Sequence, residues 1–517
     1  MALPTDLPED IEALKALVLR QHQEIAELQQ DVRVLRRLVF GPSSERRVPP
    51  ETPVLQGSLF FREIAAEAAR FAQEHRAQVT VEVQAHHRKA KKNGRRTSFP
   101  DHLPVVRTLF ELPEDDRKCA CGGELIAFGE EVSRELERVE TTVVHELARK
   151  KYACTSCREG VVTAPWRGKV IEKGMLGPGF LAHVIVERFA HHLPYYRLQS
   201  QYRDEGLDLS RSILCESTAR CAELLEPVAD EIKQEVLASP VIHTDDTPVT
   251  IARSREGGSR QGRVWVYLNR EGRHWYEFTS SRKRDGPAQV LKDFRGFLQA
   301  DAYGGYDGLF GPEGCTEVAC WAHLRRKWVD AEPTDPELSK EAVDRIRLLF
   351  QLEEIAAGLT VEERRRLRQE KALPLVDEFE AWTDAVEPQV LPKGPAAKAV
   401  TYAKNQRLAL RRYLEDGRLA ISNNAAERAL KPLAIGRKNW LFFQREGGGK
   451  TASILMSLLM TARAAGVEPG EYFRDVLLRI SDCKDVALLT PHRWKVHFEP
   501  EVHARRHEIL QQLVAHD

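Results

Sequence analysis

At roughly 150 residues per domain, a chain of 517 residues has room for three or four domains. Its 77 Lys+Arg balance 77 Asp+Glu, so overall charge does not mark a nucleic-acid binder and only local patches can do so. Apolar residues at 42% can fill sizeable cores, while no apolar run of about 18 residues is present and the start, MALPTDLPEDIEAL, is acidic; we read a soluble, unsecreted protein with no membrane partner.

In chain order, residues 11–39 carry heptads. One seam reads Ile11, Val18, Ile25, Val32, Val39 and the other Leu14, Gln21, Leu28, Leu35. β-Branched residues at one seam and Leu at the other favour a parallel two-stranded coiled coil, against the alternative of an amphipathic helix packed on its own domain. Leu14, Val18, Ile25, Leu28, Val32 and Leu35 are therefore the expected dimer contacts. Pro42 ends the helix. A polar linker follows, then a basic run with Arg88, Lys89, Lys91, Lys92, Arg95 and Arg96. Its single sign in a neutral chain gives a phosphate-contact reading equal standing with a solvated face.

Nine cysteines in a chain of this length are not a disulfide framework. Four cluster as Cys119-x-Cys121 and Cys154-x-x-Cys157, two thiol pairs that suit a closed tetrahedral Zn²⁺ site, although the first spacing is one residue shorter than the usual knuckle. The scattered Cys215, Cys221, Cys315, Cys320 and Cys483 read as small core residues.

Residues 174–236 have a helical pattern with a break at EGLDL, after which Ser210 can cap the next helix. Helix, turn and capped helix are compatible with helix-turn-helix DNA binding, a weak signal by itself. From 240 the texture turns to strands: PVIHTDD, GRVWVYLNR and RHWYEFTSS, then a helix near 286–295, FLQAD, and TEVACWAH leading into a helix. This order predicts an α/β sheet. Residues 331–416 are almost wholly helical in pattern, and 421–480 hold a capped helix, a Gly-rich turn REGGGK and more helix.

Asp245 is expected to end a strand, with Asp246 just after it, and Asp301 to end another; functional groups gather at such strand ends. Glu427 falls in the first turns of a helix that Ser422, Asn423 or Asn424 can cap, among Arg428, Lys431, Arg437 and Lys438. Each acid alone has a plainer reading: an Asx turn before Pro248, another before Gly304, and an i,i+4 pair of Glu427 with Lys431. Together they fit three carboxylates holding divalent metal, with cations on DNA phosphates. Arg325, Arg326 and Lys327 stand equally between phosphate contact and a solvated face, and His323 between a packed histidine and a group supporting the metal ligands.

The residues also carry a family resemblance. The heptad helix ending in FGPSSER, KYACTSC, HLPYYR, HTDDTPV, DAYGGY, WAHLRRKW, NNAAERALKPLAIGRKNWLF and GVEPGEYFRDVL, spread over nearly the whole chain, resemble the bacterial insertion-sequence-66 transposases, DDE recombinases. In similar proteins Asp commonly stands where this chain has Ser422. The resemblance implies an α/β RNase H-like catalytic core with a helical insertion, preceded by a coiled coil, a small zinc-binding module and a helical DNA-binding region. It implies a catalytic, metal-binding triad of Asp245, Asp301 and Glu427 with Mg²⁺ (or Mn²⁺), favouring Asp245 over Asp246. The expected partners are double-stranded DNA, as element terminal inverted repeats and target, a second copy through the coiled coil, and small accessory proteins. The expected location is the bacterial cytoplasm, on the nucleoid.

The expected divisions are 1–41 for the coiled coil, 42–100 for the linker with its basic run and 101–170 for the zinc module. Then come 171–238 for the helix-turn-helix-like region, 239–480 for the catalytic domain with its insertion at about 331–416, and 481–517 for a tail. Two other functions fit the same residues: a metal-dependent nuclease or resolvase without strand transfer, and a dimeric zinc-containing regulator with an inactive core.

Replacing Cys154 by Ser is expected to release one equivalent of zinc and unfold the module around it, measured by metal analysis and thermal unfolding. A folded, metal-free wild-type chain would end the zinc reading.

Overall fold

The computed structural model describes residues 169–505 except 173, 253–257 and 283–284, together with Thr142, Val144 and the strands β1 (Lys151–Ala153) and β2 (Val161–Thr163). The expected coiled coil, the basic run at 88–96 and all four clustered cysteines lie outside the described residues. β1 and β2 pair antiparallel, and the connection between them holds Cys154 and Cys157.

Three helices come next: α1 (Pro178–Phe189), α2 (Tyr195–Asp204) and α3 (Arg211–Leu237). Ser210 caps α3 as expected, its hydroxyl accepting from the Ile213 amide at 3.2 Å. The sheet follows with β3 (Val241–Ala252), β4 (Ser259–Leu268), β5 (His274–Thr279), a short helix α4 (Asp285–Leu291), β6 (Phe297–Gln299) and β7 (Thr316–Val318). Its spatial order is β5-β4-β3-β6-β7. The first three strands form an antiparallel meander, whereas β6 and β7 run parallel to β3.

Helix α5 (Trp321–Ala331) leads into a helical stretch of α6 (Pro336–Ile355), α7 (Val361–Leu367), α8 (Leu373–Val386), α9 (Pro395–Asn405) and α10 (Arg407–Arg411). This stretch has its own core around Trp321, Trp328, Ile346, Phe379, Val400 and Tyr413. The chain returns through α11 (Asn424–Trp440), α12 (Glu446–Ala464), α13 (Pro469–Arg479) and α14 (Pro491–His497).

The main core joins sheet residues such as Val264, Trp265, Tyr267 and Leu298 to Leu225, Val228 and Ile232 of α3 and to Leu455, Leu458 and Leu459 of α12. The expected boundary at 238/239 therefore does not divide the core, because the inner face of α3 packs under the same sheet. Nor is the stretch from 481 a tail: Leu489 and Trp494 are fully buried in this core, and the Trp494 indole donates to Asp475 Oδ2 at 2.7 Å.

β5 is an edge strand, and α12 covers it with hydroxyls one helical turn apart. Ser457 Oγ accepts from the Tyr276 amide at 2.8 Å and Thr461 Oγ1 from the His274 amide at 3.0 Å. The REGGGK segment, expected as a turn, is instead the start of α12. A Cβ on Gly449 would stand 2.3 Å from the Phe278 ring, so glycine there permits the helix to approach the strand closely. Among the described residues no helix is long and apolar enough to cross a membrane.

Trp494→Ala is expected to cost about 3–5 kcal/mol, seen as a clear fall in the thermal midpoint, with a smaller fall for Trp494→Phe. A midpoint unchanged in both variants would show that this segment does not contribute to the fold.

Candidate active site

The parallel register of β3 with β6 ends at His243↔Gln299, so Asp245 and Asp301 both lie two residues beyond the last paired position. Two acids distant in sequence thereby come to neighbouring points at one end of the sheet. Contrary to expectation, Asp245 does not end its strand: β3 continues through Thr247, Pro248 and Ile251, paired with β4 throughout. Since β6 accompanies β3 only to His243, one side of β3 lacks a strand partner from Thr244 until Phe443 bridges it at Ile251. A proline is tolerated in such edge-like backbone.

Alternation along β3 separates the two aspartates. Asp246 is closed off as an ion-pair centre, its side chain 3% exposed, accepting from Arg263 Nη1 at 2.8 Å and from Arg282 Nη2 at 2.9 Å. Arg282 also stacks on Tyr303 at 4.0 Å, and the Tyr303 hydroxyl donates to the Arg282 carbonyl at 2.6 Å. Asp246 thus fixes the turn that follows Asp301. In that turn Ala302 has φ 61°, and Asp301 Oδ1 accepts from the Tyr303 amide at 3.2 Å, the Asx geometry anticipated for Asp301.

Asp245 is not ion-paired with any described residue, and its Oδ1 accepts only the amide of Asp246 at 2.8 Å. Burial first, then the charge of Asp301, with smaller contributions from Asp246 and Glu427, pushes its carboxyl from 3.8 up to about 7. Asp245 thus lies within reach of the charges of both Asp301 and Glu427.

Glu427 sits in the first turn of α11 and leans toward α5, with Arg326 Nη2 at 3.4 Å and His323 Nδ1 at 3.8 Å. The Glu427–Lys431 pair does not form. Burial holds the His323 ring below its ordinary range, against the opposing pull of Asp301 and Glu427, and its Nδ1 is buried without a hydrogen bond.

The expected side-chain cap of α11 is also absent, for a specific reason. Asn423 holds the N-cap position, yet its amide turns into the sheet. Asn423 Nδ2 donates to the Thr244 carbonyl at 2.8 Å, its Oδ1 lies 3.2 Å from His243 Nδ1, and its backbone amide meets Cys320 Sγ at 3.2 Å. Because Oδ1 can only accept, His243 carries its proton on Nδ1; burial lowers that ring to about 4 and keeps it neutral. Gln299, fully buried, donates to the Ala420 carbonyl at 2.6 Å. The two amides hold the entry to α11 against β3 and β6.

The cations of α11 divide. Arg437 turns inward, donating to Thr247 Oγ1 and the Pro248 carbonyl, both at 2.8 Å, so it braces β3 and is not the free phosphate contact expected of it. Arg428, Lys431 and Lys438 are exposed and not ion-paired with another described residue. On α5, Arg326 reaches Glu427, Lys327 stacks over Tyr402 at 4.8 Å and Arg325 is half-buried. Asn423, Gln299, Arg263 and Arg282 were not singled out for these roles in the sequence. Asn423 reads there as an ordinary cap, and nothing local marks the other three.

Among the described residues, no three His, Cys, Asp or Glu side chains stand at distances able to hold one metal ion. The donor chemistry nevertheless fits a hard divalent cation. Asp245 is a half-buried carboxyl without an ion pair, its charge opposed by burial and by Asp301, Asp246 and Glu427, and oxygen donors of this kind suit such a cation.

A family model described as "Transposase IS66 family" matches residues 173–451, which include all three acids. A second, described as "Transposase C of IS166 homeodomain", matches residues 27–108. Among curated proteins, uncharacterized protein y4qI of Sinorhizobium fredii is 32% identical over 550 residues, covering 96% of this chain and 99% of that one. Uncharacterized protein y4hP of the same organism is 30% identical over 91% of this chain and 89% of its own length.

A raised carboxyl in the folded state means that stability falls as pH climbs from about 4 to about 7, where the unfolded chain ionises first, and levels off above. In magnesium-free buffer, Asp245→Asn is therefore expected to be more stable than wild type at pH 8, by on the order of 2–4 kcal/mol, and nearly equal at pH 4.5. Thermal melts across this range check it; a difference independent of pH would contradict it.

Proposed function

Because the chain belongs to the IS66 transposase family, we propose that it cleaves the ends of a DNA element and joins the 3′-OH groups to target DNA. In this reading Asp245, Asp301 and Glu427 are the catalytic acids. What supports it most is that Asp245 and Asp301 stand at neighbouring points past the parallel register of β3 and β6, with Asp245 left unneutralised and reached by the charge of Glu427 while its neighbour Asp246 is saturated by two arginines. The order of the sheet, an antiparallel meander followed by two strands parallel to the first, supports an RNase H-like core.

The three carboxylates would hold Mg²⁺, which supplies charge for activating water or a DNA 3′-OH and for the leaving 3′-oxygen. The chain's own groups do the remaining work. Asn423 and Gln299 fix where Glu427 begins its helix relative to β3 and β6. Arg326 orients the Glu427 carboxylate by its hydrogen bond, and the His323 ring packs beside it. Arg428 and Lys431, exposed just beyond Glu427, are placed to take phosphate oxygens and hold the duplex in register. No protein nucleophile is required, since the attacking oxygen comes from water or from DNA.

In the same reading the four clustered cysteines bind Zn²⁺, the heptads pair two copies, and the basic run adds phosphate contacts. Two protomers would then hold two element ends together on bacterial chromosomal DNA.

Asp245→Asn, Asp301→Asn and Glu427→Gln are each expected to retain binding of the element's terminal duplex while lowering Mg²⁺-dependent cleavage at least about 10³-fold. Gel-shift and strand-transfer assays on the same samples provide the check. Retained cleavage in any of the three removes that residue from the triad. Hydrolysis without joining would make the chain a nuclease of the same fold.

A further inference from the structure

The helix that carries Glu427 ends in an unusual way. Leu441, directly after α11, has φ 64° and ψ −47°, and the amide of Phe442 donates back to the Trp440 carbonyl at 2.7 Å. This is a γ-turn of the rare, strained hand, at a residue with a branched side chain where glycine would be relaxed. The strain does not serve burial: Leu441 is 63% and Phe442 47% exposed. The next residue is firmly anchored. Phe443 is buried, its amide donating to the Thr250 carbonyl and its carbonyl accepting from the Ala252 amide, each at 2.9 Å. Trp440 is buried on the other side. Two apolar side chains are thus pushed into solvent between two buried aromatic anchors.

The exposed face of the helix leads to this point. Arg428, Lys431, Ile435 and Lys438 recur at spacings of three and four, a single stripe along α11, and all four are exposed. The stripe begins beside Glu427 and is cationic at three of its four positions without pairing to other described residues, and the exposed Leu441 and Phe442 follow directly beyond the helix end. A cationic track complements a phosphodiester backbone, and it delivers an apolar tip to the same duplex.

We propose that Leu441 and Phe442 form a wedge that inserts between base pairs of the DNA held along α11 and unstacks a step near the scissile phosphate. This rests on the reading of Glu427 as a catalytic acid. Apolar wedges of this type contact bases from the minor groove and kink the duplex, while the neighbouring cations hold the backbone. The fourteen residues from Glu427 to Leu441 span about 21 Å of helix at 1.5 Å each. With about 3.4 Å per base pair, the wedge meets the duplex about six base pairs from the reacting phosphate. The strained turn keeps the two side chains extended before DNA arrives, so little ordering remains for the bound state.

The test uses the full chain and 30-bp duplexes from the end of the element that encodes it, with 2-aminopurine placed at successive positions. Wild-type protein is expected to raise the fluorescence several-fold at one step, about six base pairs from the cleavage site. The Leu441→Gly/Phe442→Ala variant should lose that rise. Leu441→Gly relieves the positive φ, so the variant should melt no earlier than wild type, and loss of signal in a folded protein is then loss of the wedge. Phe442→Trp should keep the signal. Cleavage by wild type with 2-aminopurine quenched at every position overturns the wedge and leaves the proposed function standing. A wild-type chain that neither binds nor cleaves these duplexes overturns both. An unchanged signal in the double variant, together with a lower mass by light scattering, assigns the patch to contact between copies and also overturns the proposal.

Discussion

The site depends on one constraint: the register in which β3 and β6 run parallel, ending at His243 and Gln299. Asp245 and Asp301 are each two residues past that point, so a slip of one strand by one residue would turn its acid to the other face of the sheet. Glu427 is indexed to the same place by side-chain amides. Gln299, the last residue of β6, is bonded to Ala420, and Asn423 is bonded to the carbonyl just before Asp245. Buried amides are suited to this because an unmatched donor or acceptor there is costly, which leaves one acceptable arrangement.

Electrostatics then separates two aspartates that the sequence presents as equals. Asp246 has both oxygens occupied by arginine, so its charge stabilises the fold and steadies the Asp301 turn through Arg282 and Tyr303. Asp245 is buried and faces other carboxylates, and the burial first and the neighbouring charges second raise its proton affinity toward neutrality. A structural acid lowers its energy by pairing. An acid held unpaired beside others stores a repulsion that an incoming cation can relieve, the pattern of a functional site.

The acids themselves were legible, because carboxylates beside apolar strands stand out and the family motifs surround them. Their convergence was not, since register is a non-local property of two strands. TDDTP reads as turn chemistry, and the continuation of β3 through Pro248 becomes intelligible only when β6 is seen to stop at His243. Capping propensity misled in the same manner: Asn423 has the right residue type and position for a cap, but a buried carbonyl 179 residues away in sequence outcompetes the local amides. The cations of α11 look alike in sequence, and only the packing of the helix on β3 turns Arg437 inward and leaves Arg428, Lys431 and Lys438 outside. The shared core of α3, the sheet and α14 was missed because a helical period does not say what it packs against.

The helical stretch from α6 to α10 separates the second and third acids in sequence, yet it does not loosen the site, because its two ends are sewn together. The Ala319 amide donates to the Ala409 carbonyl at 3.0 Å, the Trp321 amide to the Ile421 carbonyl at 3.1 Å, and the Trp321 indole to the Leu410 carbonyl at 3.0 Å. Cys320, between these contacts, meets the Asn423 amide. Closing a long loop costs only slightly more than closing a short one once its ends are fixed. The stretch also fills its own core, and Val241 and Val318 of the sheet join that core as its floor. Trp321, Leu324 and Trp328 of α5 belong to the same core, so the stretch holds α5 in place through its own packing. The same closure brings Arg326 and His323 of α5 to Glu427. An insertion that looks like an interruption in the sequence thus supplies the wall against which the third acid rests.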